Sequence, residues 1–171
     1  MNQPAVQANV QKVGGIDRDS ITNLLERFGL SVEWVADDAP ITASFWGDPE
    51  AGIAGRRVYV RADTPVHSML HEVSHIICMT SDRREQLDRD AGGDDLEESA
   101  VCYLQIVLAD YLHGVGRERL MRDMNSWGYS FRLGSTERWF AQDADDARAW
   151  LRARQLLTSA SEPQFRLRGA Q

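Results

Sequence analysis

The chain has 171 residues, 43% hydrophobic and 26% charged, an ordinary globular composition long enough for one domain with a buried core. A net charge of −7 and a pI near 5.1 argue against nucleic acid or an anionic membrane as the main partner. Two cysteines, Cys78 and Cys102, are too few for a disulfide framework. No run approaches ~18 apolar residues, and residues 1–13 lack a basic-then-apolar leader. These features predict a cytoplasmic protein with reduced thiols.

Residues 1–16 are polar, end in Gly14-Gly15, and read as a flexible N-terminal tail. Ile21, Leu24, Leu25 and Phe28 keep helical spacing, with Asp17 or Asp19 as cap and Gly29 as stop. Residues 31–36, 41–46 and 56–61 alternate as strands, with a turn over 52–55. The third strand directly precedes the next helix, so its free edge is a place for an extended peptide to add as a strand.

Residues 64–79 carry His71-Glu72-Val73-Ser74-His75 on one helix. Thr64 suits the cap and Pro65 the first helical position. Val66, Met69, Leu70, Val73 and Ile77 form a core-facing stripe, leaving His71, Glu72 and His75 on another face. Residues four apart on a helix are neighbours, so the two imidazoles can share a metal ion with Glu72 beside it as a base. The plainer reading makes them hydrogen-bonded core histidines. His67, one turn earlier, reads as a solvated first-turn residue.

A polar stretch follows, with Gly92-Gly93 as a break. Asp94 or Asp95 then caps a long helix with two apolar stripes, Leu96, Ala100, Tyr103, Val107, Tyr111 and Val101, Leu104, Leu108, Leu112. So wide an apolar face predicts a central helix. Glu97 and Glu98 lie in its first turn, where carboxylates suit the helix dipole. A catalytic metal site needs a third protein ligand, and either glutamate can supply it. Residues 117–125 and 143–157 read as helices, 127–140 as a hairpin or loop, and 158–171 as a flexible C-terminal tail. His113, Tyr129 and Arg132 are candidate donors to a developing oxyanion. Trp127, Trp139 and Trp150 read as core anchors, and Cys78 as a small buried hydrophobe.

His71-Glu72-Val73-Ser74-His75 resembles the signature of zincin metallopeptidases, and Glu97-Glu98-Ser99-Ala100 resembles their Glu-x-x-Ala stretch. The small cytoplasmic repressor-cleaving proteases are nearest in size and layout. The resemblance implies zinc held by His71, His75 and Glu97, with Glu98 as the alternative ligand, Glu72 as general base, and a peptide or protein substrate. Such families often place Asn or Asp after the Ala to orient a zinc-bound histidine, where this chain has Val101; Asp94, Asp95 and Asp110 are the candidates to replace it. Residues 69–88, with His71, His75, Arg83, Arg84 and Asp88, are also similar to the elongation factor P hydroxylase family. That resemblance implies Fe2+ and hydroxylation instead. A non-catalytic metal-binding or interaction domain is the third reading.

The expected architecture is α+β: one zincin-like domain over residues 17–157, with a small, mostly antiparallel sheet packed on the motif helix and the long helix.

Overall fold

A computed structural model describes residues 9–170. The fold is α+β, with seven α-helices and a three-stranded sheet among the described residues. Helix α1 (Arg18–Glu26) is capped by Asp17, whose side chain accepts from the Asp19 N–H. Its buried Ile21, Leu24 and Leu25 face the core. Strands β1 (Ser31–Trp34), β2 (Gly52–Ala54) and β3 (Arg57–Val60) follow, in the order β1-β3-β2.

The sheet is mixed rather than mostly antiparallel. β1 runs parallel to β3 from Ser31 opposite Arg57 to Trp34 opposite Val60, and β2 runs antiparallel to β3. Residues 41–46, expected as a strand, form a loop, and β2 arises where a turn was expected. Ala43 has φ +57, which breaks an extended run, and its carbonyl accepts from the Ile53 N–H. This loop presses so close to β2 that a Cβ on Gly52 would lie 1.8 Å from the Thr42 carbonyl oxygen. β3 is central, with partners on both sides, so it has no free edge for an added peptide strand.

Helix α2 (Val66–Cys78) is buried at every residue except half-buried His71. Its N-cap is Pro65, not Thr64. The Thr64 hydroxyl instead accepts from the Arg61 N–H. The carbonyls at the C-terminal end of α2 find a buried cation: Arg84 donates to the oxygens of Ile76 and Met79. Arg84 lies in α3 (Ser81–Glu85), capped by Thr80.

Helix α4 (Asp95–Leu108) packs along α2 and is buried from Ala100 to Leu108. Asp94 caps it by accepting from the Glu97 N–H. Helix α5 (Arg117–Trp127) stops at Gly128, where φ is +109, a value glycine adopts without penalty. Residues 128–135 are loop, and the rest of the stretch that reads as a hairpin or loop is α6 (Thr136–Gln142), capped by Ser135. α7 (Asp145–Ala153) carries its acids first and an arginine last, and is shorter than expected.

Neither described terminal segment is a loose tail. Val10 and Val13 are buried, and Val13 and Gly14 donate to the carbonyls of Thr64 and Ala62. At the other end Leu167 is buried, and the Arg168 N–H donates to the Ile77 carbonyl. Apolar residues in both segments close the ends of the core, so the domain extends beyond 17–157. Residues 1–8 and 171 lie outside the described residues.

Candidate metal centre

Two adjacent core helices supply the site. From α2, His71 and His75 lie one turn apart, with ring centroids 4.7 Å from each other and planes at 86°. From the first turn of α4, Glu98 meets both rings. Its Oε1 is 3.0 Å from His71 Nε2, and its Oε2 is 3.2 Å from His75 Nε2. One donor atom from each of the three residues lies within 4.8 Å of the others.

The carboxylate that faces the histidines is therefore Glu98 and not Glu97. Successive helical residues point about 100° apart, so only one of the pair can face α2. Glu97 turns into a buried ion-pair cluster, accepting from Arg83 at 2.9 and 2.7 Å and from Arg168 at 3.2 Å. Arg83 also donates to the Ala91 carbonyl, which ties residues 89–93 to the start of α4. Glu98 is half-exposed at the cleft, its side chain 47% accessible.

The fit of a metal can be judged from the hydrogen bonds around His71. Gln105, buried in α4, donates its amide nitrogen to the His67 carbonyl at 3.1 Å. Its Oε1 then faces His71 Nδ1 at 2.6 Å. A neutral His71 must carry its proton on Nδ1, which leaves a lone pair on Nε2 aimed at a carboxylate oxygen. Two acceptors 3.0 Å apart repel unless positive charge lies between them. That charge is a proton on the ring or a cation shared by the three residues. Tetrahedral zinc with bonds of about 2.0–2.1 Å separates its ligand atoms by about 3.3 Å, and each Glu98 oxygen lies close to that distance from one of the two rings. Two imidazoles and one carboxylate suit zinc and non-haem iron(II) alike.

The residue that holds the far side of the His71 ring is thus Gln105, and none of the three aspartates expected there. Asp94 caps α4, Asp110 pairs with Arg117, and Asp95 is exposed. Glu98, Val101 and Gln105 lie at i, i+3 and i+7, on one face of α4. Gln105 is the only amide or charged side chain between Ala100 and Ala109, and that isolation is the sequence signal that could have found it.

Electrostatics follow burial and pairing. Burial raises the Glu72 carboxyl above its ordinary range although His71 and His75 pull it down. Burial would also raise Glu98, but hydrogen bonds from both imidazoles bring it well below the carboxylate range. Burial opposes charge on His71, and Tyr129, Cys102 and Glu98 outweigh it, holding His71 above the usual histidine value. His67 is not solvated but buried, with Nδ1 3.2 Å from the Tyr129 hydroxyl and its ring 4.9 Å from that of Trp127. Burial, then the charge of His71, push it down to about 3, so it stays neutral.

A cleft with two lobes, each about 240 Å³, opens over these groups. Trp46, His71, Glu72 and Glu98 line both lobes, so the three polar groups sit at their junction. The first lobe adds Phe45, His75, Arg89, Asp90 and the backbone of 91–93. The second adds Glu50, Ser68, Tyr129 and Ser130. Phe45 and Trp46 stand on the rim, about half exposed. Of the proposed oxyanion donors, only Tyr129 lines the cleft. Arg132 pairs with Asp143, and His113 is exposed with its backbone N–H on Ser20. Trp127, Trp139 and Trp150 are buried, as are the free thiols of Cys78 and Cys102.

Among the described residues no helix is long and apolar enough to cross a membrane. Compared with known proteins, the chain matches no family model, and no curated protein or solved structure is significantly similar to it.

Proposed function

We propose that this protein is a cytoplasmic metal-dependent hydrolase acting on peptide or protein substrates, with His71, His75 and Glu98 holding a zinc ion. The observation that carries this reading is the convergence of three donor atoms beside a buried carboxyl, at the centre of an open cleft. A cation held there supplies Lewis acidity, lowering the pKa of a coordinated water towards ~7 and polarising a carbonyl. Glu72 is the base that takes the proton from the attacking water and returns it to the leaving amine. Gln105 fixes the His71 tautomer so that Nε2 stays a ligand. Phe45 and Trp46 give the rim an apolar surface against which a substrate chain would lie.

The same ligand set suits iron(II), which keeps the hydroxylase as the second reading. Glu72 favours hydrolysis, because a buried base beside the metal position has a role in activating water. The deciding test uses Glu72→Gln. It should keep the metal and its affinity while losing peptide hydrolysis by about 10²-fold or more. Full turnover by that variant would remove Glu72 from the mechanism. Substrate-linked oxygen consumption by the anaerobically iron-loaded protein would replace the hydrolase with the hydroxylase.

A further inference from the structure

One buried carboxyl in the cleft has no part in the mechanism above. Glu50 is 6% exposed and lines the second lobe, a few residues after the rim aromatics of the 41–51 segment. No lysine or arginine lines that lobe, and Glu50 has no salt bridge among the described residues. Burial and then the charge of Glu72 disfavour its ionised form, against weaker pulls from His71 and Trp127. The other two carboxylates of the lobe have work already, Glu98 on the cation and Glu72 on water. Two rings, Trp46 and Tyr129, form part of the wall, and aromatic faces attract ammonium and guanidinium groups. The first lobe differs, because Arg89 there lies beside Asp90.

His71 already faces Glu98, and a buried carboxylate with no lysine or arginine beside it among the described residues is costly, so a cation brought in by a ligand recovers that cost. From this we infer that the second lobe is a specificity pocket for a positively charged group of the substrate, with Glu50 as the residue that recognises it. The preferred substrates then carry a lysine or arginine side chain, or a free amino terminus, next to the bond that is cut. The cation lies against Trp46 and Tyr129, and Ser68 and Ser130 offer hydroxyls at the lobe wall. The inference rests on the peptidase reading for the identity of the ligand, but binding tests it without turnover.

The experiment measures equilibrium binding of three short peptides to zinc-loaded protein at pH 8, followed by tryptophan fluorescence. They are acetyl-alanyl-lysine amide, acetyl-alanyl-norleucine amide, and alanyl-norleucine amide with a free amino terminus. Wild type should bind one of the two cationic peptides about tenfold or more tightly than the neutral one, the scale of a charge-assisted hydrogen bond. Which of the two gains identifies the source of the charge. Glu50→Gln should collapse that ratio towards unity and leave the neutral peptide unchanged. Glu50→Asp should give an intermediate ratio, and serves alone if the glutamine variant does not fold. Equal binding of all three peptides by wild type, or an unchanged ratio in the variants, would overturn the inference. Charge-selective binding without hydrolysis would retire the peptidase reading and leave the pocket standing. Hydrolysis without charge preference would do the reverse.

Discussion

His71 Nδ1 lies 2.6 Å from Gln105 Oε1, and the amide of Gln105 is locked the right way round by its bond to the His67 carbonyl. One side chain of α4 therefore sets the tautomer of a candidate ligand on α2. Gln105→Leu should weaken zinc binding by about 10–100-fold, measured by competition with a chelator. Gln105→Glu keeps an acceptor for His71 and loses the donor to His67, so its affinity should fall between the two. In the zinc-loaded protein, nitrogen shifts should report a proton on His71 Nδ1 and none on Nε2. Unchanged zinc affinity in Gln105→Leu would remove this residue from the account.

Glu97 and Gly93 form a second, separable unit. Gly93 has φ +101, and a Cβ there would lie 2.3 Å from Glu97 Oε2. Gly93→Ala should destabilise the fold by about 2–3 kcal/mol, through strain and displacement of the Arg83–Glu97 pair. Glu97→Ala should cost a similar amount, about 2–4 kcal/mol, because it strips a buried anion from Arg83 and Arg168. Both are read from denaturant midpoints. Zinc stoichiometry should survive in each, since Glu97 points away from the imidazoles.

Glu50 gives a pH dependence with a definite sign. Burial, then the charge of Glu72, push its carboxyl from 4.5 up to about 7 in the folded state. The folded chain thus binds more protons than the unfolded chain between those values, so stability falls as pH rises through that window. The contribution is complete below about pH 4.5 and gone above about pH 7. A shift of that size corresponds to about 3 kcal/mol before solvent screening, so a loss of about 2 kcal/mol is expected. Melting of metal-free wild type from pH 5 to pH 8 should show this decline, and Glu50→Gln should make it shallower by about 2 kcal/mol across that range. Glu72 and His71 are shifted in the same direction, so part of the slope stays. A slope identical in the two proteins would contradict the assignment.

What was legible in the sequence was the part carried by local periodicity. The His71-Glu72-Val73-Ser74-His75 helix, its apolar stripe, the long buried helix and an aspartate cap on the first and the long helix follow from spacing along one element, while the choice of Asp17 over Asp19 and Asp94 over Asp95 does not. What was not legible depends on rotation and long-range pairing. Glu97 and Glu98 differ by one residue, and which of them faces α2 is decided by Arg83 and by Arg168, which is 71 residues away. The 41–46 run alternates like a strand, yet Ala43 turns it and Gly52 lets it press on β2. β3, expected to offer a free edge, is central because β2 pairs along it from a stretch that reads as a turn. Glu50 carries no motif at all, and only the fold shows that it lines the cleft.

The central claim is that His71, His75 and Glu98 share one divalent cation. Elemental analysis of purified wild type, His75→Ala, Glu98→Gln and Glu97→Ala, each dialysed against zinc and then metal-free buffer, tests it most directly. About one zinc per chain is predicted for wild type and for Glu97→Ala, with near-zero occupancy in the other two. Retention of zinc by Glu98→Gln with loss in Glu97→Ala would contradict the claim, and so would a wild-type protein that keeps none.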